Sequence, residues 1–102
     1  MPGKKSEILS RLTRFLKLDA DGLRRFVLQS IIEVREFTVG SLHEVVNRRY
    51  EVSRKVVASM TGYICSSLGI LRVNKASYRS PKTYTLREEY ADIARTVLML
   101  TS

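Results

Sequence analysis

The 102-residue chain is poor in the side chains that build metal sites and covalent staples, with one cysteine, Cys65, and one histidine, His43. A lone cysteine excludes an intramolecular disulfide, and the pair falls well short of a zinc ligand set. No apolar run approaches the roughly 18 residues that a bilayer-crossing helix needs. The opening Met1-Pro2-Gly3-Lys4-Lys5 leads into a polar-faced stretch and not into the apolar region of a signal peptide. A cytoplasmic protein with no membrane contact is therefore expected. Signatures of catalysis are lacking too. There is no phosphate loop, no dinucleotide fingerprint and no paired-carboxylate signature of an enzyme, and His43 stands beside Glu44 with no nucleophile and orienting group around it. A solvent-facing or cap-proximal histidine and an inert, partly buried Cys65 are the expected roles. No enzyme activity, no catalytic residue, no metal and no cofactor are expected.

Acidic residues are scarce as well: ten Asp and Glu face eighteen Lys and Arg, giving a net charge of +8 and a pI near 10.1. The excess is local. Residues 48–87 hold nine basic side chains (Arg48, Arg49, Arg54, Lys55, Arg72, Lys75, Arg79, Lys82, Arg87) against Glu51, and nine less one is the whole net charge. The other residues carry nine basic and nine acidic groups and are neutral. General solubility does not require the charge to sit in one segment, so the asymmetry reads as a footprint for a polyanion.

The length suits one domain with one modest core, and 44% hydrophobic residues spread along the chain suit a folded one. Apolar residues at three- and four-residue spacing (Ile8, Leu9, Leu12, Phe15, Leu16) predict an amphipathic helix over 6–18. Asp19-Ala20-Asp21-Gly22 interrupts it and offers capping carboxylates to a second helix carrying Leu23, Phe26, Val27, Ile31 and Val34. Phe37-Thr38 predicts a short extended step, and Thr38 or Ser41 is placed to cap a third helix with Leu42, Val45 and Val46 inward, ending near Arg49. After the link Tyr50-Glu51-Val52, Ser53 caps a fourth helix through Leu68, where Gly69 supplies a left-handed stop. The period then changes to that of strands, Ile70–Val73 and Thr83–Leu86, around the polar loop 74–82. Tyr90, Ile93, Ala94, Val97 and Leu98 predict a final helix over 88–100, with Glu88 and Glu89 at its favourable N-terminus.

Helical phase assigns Val57, Met60, Ile64 and Leu68 to the core side of the fourth helix and Lys55, Ser59, Gly62 and Ser66 to the opposite side, flanked by Arg54, Ala58 and Tyr63. That open arc is short-chained, which permits close approach to a groove while Arg54 and Lys55 meet phosphates and Ser59, Thr61 and Tyr63 supply hydrogen bonds. The bland alternative is a merely solvated face, or a face on which another helix packs.

The stretch FTVGSLHEVVNRRYEVSRKVVASMTGYICSSLGILRV followed by RSPKTYTL resembles a winged helix-turn-helix, most specifically where Leu68-Gly69-Ile70-Leu71 leads from helix to strand. With its added terminal helices the chain is also similar to a small archaeal winged-helix family of unestablished function. The resemblance covers about 22–87 and implies a mainly α, α+β fold whose second motif helix enters the major groove while a wing lies on the backbone or minor groove. The residues it implicates are Arg48, Arg49, Arg54, Lys55, Ser59, Tyr63, Lys75, Tyr78, Arg79 and Lys82. Duplex DNA is the expected partner of a transcriptional regulator of this kind. RNA or ribosome binding, and a protein-interaction module with no nucleic acid, stay open. The apolar stripes of the terminal helices must either wrap the core or pair two copies into a homodimer.

Overall fold

The computed structural model describes residues 4–74 and 80–101. Helix α1 (Lys4–Lys17) buries Ile8, Leu12, Phe15 and Leu16 and has Arg14 and Lys17 in its last turn, where the helix dipole favours cations. Leu9, expected on the same stripe, is exposed. Asp19 then caps α2 (Leu23–Val34) from outside the helix, its carboxylate accepting hydrogen bonds from the backbone N–H groups of Gly22, Arg24 and Arg25, each at 3.1 Å. Gly22 has φ +88°, and a Cβ there would lie 2.7 Å from the Tyr50 hydroxyl, so the turn requires glycine on two counts. A non-glycine residue with positive φ, Arg35, ends α2 and forms an ion pair with Glu88.

Strand β1 (Glu36–Phe37) precedes α3 (Val39–Asn47), whose N-terminus carries a reciprocal cap: Thr38 Oγ1 accepts from the Ser41 N–H, and Ser41 Oγ accepts from the Thr38 N–H. Helix α4 (Arg54–Tyr63) is capped by Ser53, whose Oγ accepts from Val56 N–H at 3.2 Å. Strands β2 (Leu71–Asn74) and β3 (Thr83–Leu86) form an antiparallel pair, Leu71 opposite Leu86 and Asn74 opposite Thr83. Strand β1 joins the other side of β3, giving the order β1-β3-β2, and the Phe37 and Tyr84 rings stack across that pairing at 5.6 Å. Helix α5 (Glu88–Leu100) closes the chain, and Arg25 of α2 satisfies its last turn by donating to the Leu98 carbonyl at 2.8 Å and to Thr101 Oγ1 at 2.6 Å.

Four sequence expectations are corrected here. The fourth helix is α-helical only to Tyr63; residues Ile64–Leu68 form a π-turn closed by the Gly69 N–H to Ile64 carbonyl bond, with Gly69 at φ +75°. The link before it comprises residues 48–53, because α3 stops at Asn47 and leaves Arg48 and Arg49 in the turn. The first strand of the hairpin starts one residue later than expected, with Ile70 buried just ahead of it. Finally, Thr61 is fully buried on the core side of α4, where Met60 is partly buried against the core. On an ideal helix Thr61 is about 40° from Val57 and Met60 about 60° on the other side, so both reach the core side, and apolar character singled out Met60 and passed over Thr61.

The stripes of the terminal helices are used within the chain. Ile8, Leu12, Phe15 and Leu16 of α1 and Tyr90, Ala91, Ala94 and Val97 of α5 belong to one continuous core with α2, α3, α4 and the sheet. Those residues are covered within the chain, while Leu9 of α1 and Met99 and Leu100 of α5 stay exposed. None of the described helices is long and apolar enough to cross a membrane.

Thr61 yields a stability prediction. Its Oγ1 is buried without a hydrogen-bond partner, so the folded state bears an uncompensated desolvation cost. Thr61→Val replaces that hydroxyl with a methyl of similar size and is expected to stabilise the protein by about 1 kcal/mol. A urea unfolding midpoint that falls would count against this reading.

Candidate nucleic-acid interface

The six-residue link and α4 are held by contacts on both sides of the turn. His43 of α3 is half-buried, and its Nε2 lies 2.8 Å from the Val52 carbonyl, where the Nε2–H tautomer donates. The histidine is thus a brace for the turn and not a solvent-facing group. Tyr50 reaches back to α2: its hydroxyl donates to the Asp21 carbonyl at 3.2 Å and its ring meets Phe26 at 5.6 Å. Together these contacts set the angle at which α4 leaves α3.

With that angle set, Arg54, Lys55, Ala58, Ser59, Gly62 and Ser66 are all exposed on one side of α4 and its π-turn. A Cβ added to Gly62 would meet nothing within 4 Å, so no described part of the chain packs on the helix at that position. The glycine is not there for a helix crossing within the molecule. Ser66 is partly committed, its hydroxyl donating to the Gly62 carbonyl at 2.8 Å.

Arg48, Arg49, Arg54, Lys55, Ser59, Tyr63 and Lys82 are all exposed, whereas Lys75, Tyr78 and Arg79 lie outside the described residues. Their directions differ. The Arg54 guanidinium lies over the N-terminus of α3, close enough that a Cβ on Gly40 would be 3.3 Å from its Nη2. Lys55 lies on the opposite flank, in a groove with Ser59 and Tyr63. Arg49 is held over the Phe26 ring, 5.3 Å from its centroid. Tyr63 is not a free hydrogen-bonding arm: its ring stacks on Phe15 of α1 at 5.8 Å, 18° from parallel, and remains 44% exposed. Thr61, expected to contact nucleic acid, points into the core and is removed from the site.

The charge map also changes. Arg87, counted with the basic segment, is half-buried and within 4.0 Å of Glu89. In the other direction, the fold brings cations from the nominally neutral N-terminal third to α4. Arg24 of α2 lines the groove that holds Lys55 and Tyr63. Arg11 and Arg14 of α1, together with Glu7, line a second groove on the other side of Tyr63. Arg11 is already occupied by Glu7 at 3.8 Å and by the Ser67 carbonyl at 3.4 Å, while Arg14 is exposed. Counting charge along the chain missed Arg14 and Arg24. A charge count along the sequence carries no information on which helix α1 docks against.

The described residues include no group of three or more His, Cys, Asp or Glu placed to hold a metal ion. What the surface offers is cations on both flanks of an exposed helix face, with short polar side chains between them. Arg54 and Lys55 project from its first turn, Arg24 and Arg14 from neighbouring helices.

Sequence comparison adds a family and no activity. The family model described as "Protein of unknown function (DUF2551)" matches residues 12–94. An uncharacterized protein from Archaeoglobus fulgidus is 38% identical over 93 residues, covering 90% of this chain and 93% of that protein. No solved structure matches the chain.

Proposed function

The chain belongs to the DUF2551 family, and from its own geometry we propose that it is a winged helix-turn-helix protein that binds nucleic acid, duplex DNA in preference to RNA, as a transcriptional regulator does. In this reading α3 and α4 are the helix-turn-helix, α4 enters the major groove, and the β2–β3 hairpin is the wing, lying along the backbone or minor groove. The protein acts by binding and not by catalysis.

The observation that carries the proposal is the open face of α4. Its residues Arg54, Lys55, Ala58, Ser59, Gly62 and Ser66 are exposed, none of them is a carboxylate, and nothing described within the chain packs at Gly62 in its middle. The order α2, β1, α3, α4, β2, β3 with the sheet order β1-β3-β2 supports it, since this is the arrangement a winged helix requires. Few long polar side chains stand on the face, so docking to phosphates is the larger part of the affinity and reading of base edges the smaller.

The experiment is an anisotropy titration of the whole chain against duplex DNA and duplex RNA of equal length, repeated from 50 to 200 mM salt. With four or five phosphates neutralised, log K for DNA is expected to fall against log salt with a slope of roughly −4. RNA is expected to bind more weakly, because the major groove of an A-form helix is too narrow for α4. Tighter binding to RNA would transfer the interface to that partner, and binding to neither would reject the proposal.

A further inference from the structure

The flank of α4 that faces α1 and α2 has a chemistry that phosphate docking does not explain. Val56, Met60 and Tyr63 stand there at helical spacing of four and three residues, and Val56 and Tyr63 are 41% and 44% exposed. Phosphate contacts gain nothing from an exposed apolar stripe next to a lysine, and of the base edges only the thymine methyl would use it. These side chains form the wall of a groove of about 440 Å³ that Arg24 and Lys55 also line, above the buried Phe15 ring. That volume lies in the range of about 300–1,000 Å³ typical of small-molecule sites.

Two features select the occupant. The Tyr63 ring, stacked on the buried Phe15 ring at 18° from parallel, is 44% exposed and offers aromatic surface to the groove, and the Met60 thioether is a favourable neighbour for another ring. Its charged lining is of one sign: Lys55 and Arg24, with no carboxylate among the residues that form it. Arg24 is already ordered, its Nη1 donating to the Phe15 carbonyl at 3.3 Å and its guanidinium carbon 4.8 Å from the Phe15 centroid. An anionic group meeting it would not have to immobilise a freely rotating side chain.

We propose that this groove binds a planar aromatic carboxylate, the ring against Val56, Met60 and Tyr63 and the carboxylate against Lys55 and Arg24, and that its occupancy excludes nucleic acid from the same side of α4. The exclusion rests on the nucleic-acid reading above, because Lys55 and Ser59 belong to both surfaces. Being a binding coupling, it is reciprocal: nucleic acid must weaken the aromatic anion by the factor by which the anion weakens nucleic acid.

The test uses 2-naphthoate and its neutral analogue 2-naphthamide, titrated into the whole chain and followed by NMR shifts and calorimetry. Naphthoate is expected to bind at one site with shifts centred on the Met60 methyl and the Tyr63 ring, and naphthamide to bind about tenfold more weakly for want of the charge-assisted contacts. Lys55→Gln should bring naphthoate close to naphthamide. Val56→Glu, at an exposed position where folding is not at stake, should repel naphthoate through a like charge. Equal affinity for the two compounds, shifts centred elsewhere, or no binding would overturn the site. Naphthoate bound at the groove with duplex affinity unchanged would overturn the exclusion. Naphthoate bound by a chain that binds no duplex would leave the site standing and reject the nucleic-acid reading instead.

Discussion

Changing Arg54 and Lys55 together to glutamine is expected to weaken duplex binding roughly thirtyfold at fixed low salt, two exposed charge-assisted contacts of about 1 kcal/mol each. The magnitude of the salt slope should drop by roughly 1.8, at about 0.9 per phosphate released from contact. The two side chains take opposite flanks of α4, Arg54 over the start of α3 and Lys55 in the groove beside Arg24, so they address different phosphates and their losses should add. Neither is buried, and the thermal midpoint should stay near that of the parent chain. Arg14→Gln belongs in the same experiment. If the cations beside Tyr63 form one track with α4, this change on α1 lowers the slope by roughly a further 0.9. If Arg14→Gln is silent while the double variant is not, the interface is confined to α4. A slope unmoved by all three changes would remove this surface from the site.

The largest effect on stability is expected from Phe15→Ala. Phe15 is 1% exposed, stacks on Tyr63 of α4 and lies beneath the Arg24 guanidinium, so truncation opens a cavity where α1, α2 and α4 meet. A cost of about 3–5 kcal/mol follows for a buried phenylalanine, a large part of the roughly 5–15 kcal/mol by which a domain of this size is stable. Urea unfolding should show a lower midpoint with an unchanged slope. Leu9→Ala is the control on the same helix: Leu9 is 39% exposed and should cost under about 1 kcal/mol. The comparison also tests how α1 is used. A stabilising role within one chain makes the Phe15→Ala effect independent of protein concentration, whereas a dimer arm would make it concentration-dependent. Concentration dependence would contradict the packing described above.

Much of the molecule is legible in its residues because the relevant forces are local. The helices appear as apolar spacing, Thr38 and Ser53 as caps, Gly69 as a left-handed stop, and Thr83–Leu86 as a strand, each depending on neighbours within a turn or two. Likewise Asp19 and Gly22 announce a turn, although nothing near them indicates that the Tyr50 hydroxyl closes over the glycine. The π-turn after Tyr63 has no local signature, since its residues fit an ordinary helical pattern equally well.

By itself, the sequence determined the helices, the hairpin strands, the lack of a second cysteine for an intramolecular disulfide, and the concentration of positive charge between Arg48 and Arg87. Only the tertiary structure decided what each apolar face is buried against. Hydrophobic burial is non-directional: a stripe shows that a face leaves water and not which partner covers it, and only the fold shows Ile8, Leu12, Phe15 and Leu16 of α1 and Tyr90, Ala91, Ala94 and Val97 of α5 in one core. The same docking decided the charge distribution at the site. Coulomb interactions act through distances in space, screened beyond roughly 10 Å, and folding set Arg14 and Arg24 beside Tyr63 while tying Arg87 to Glu89.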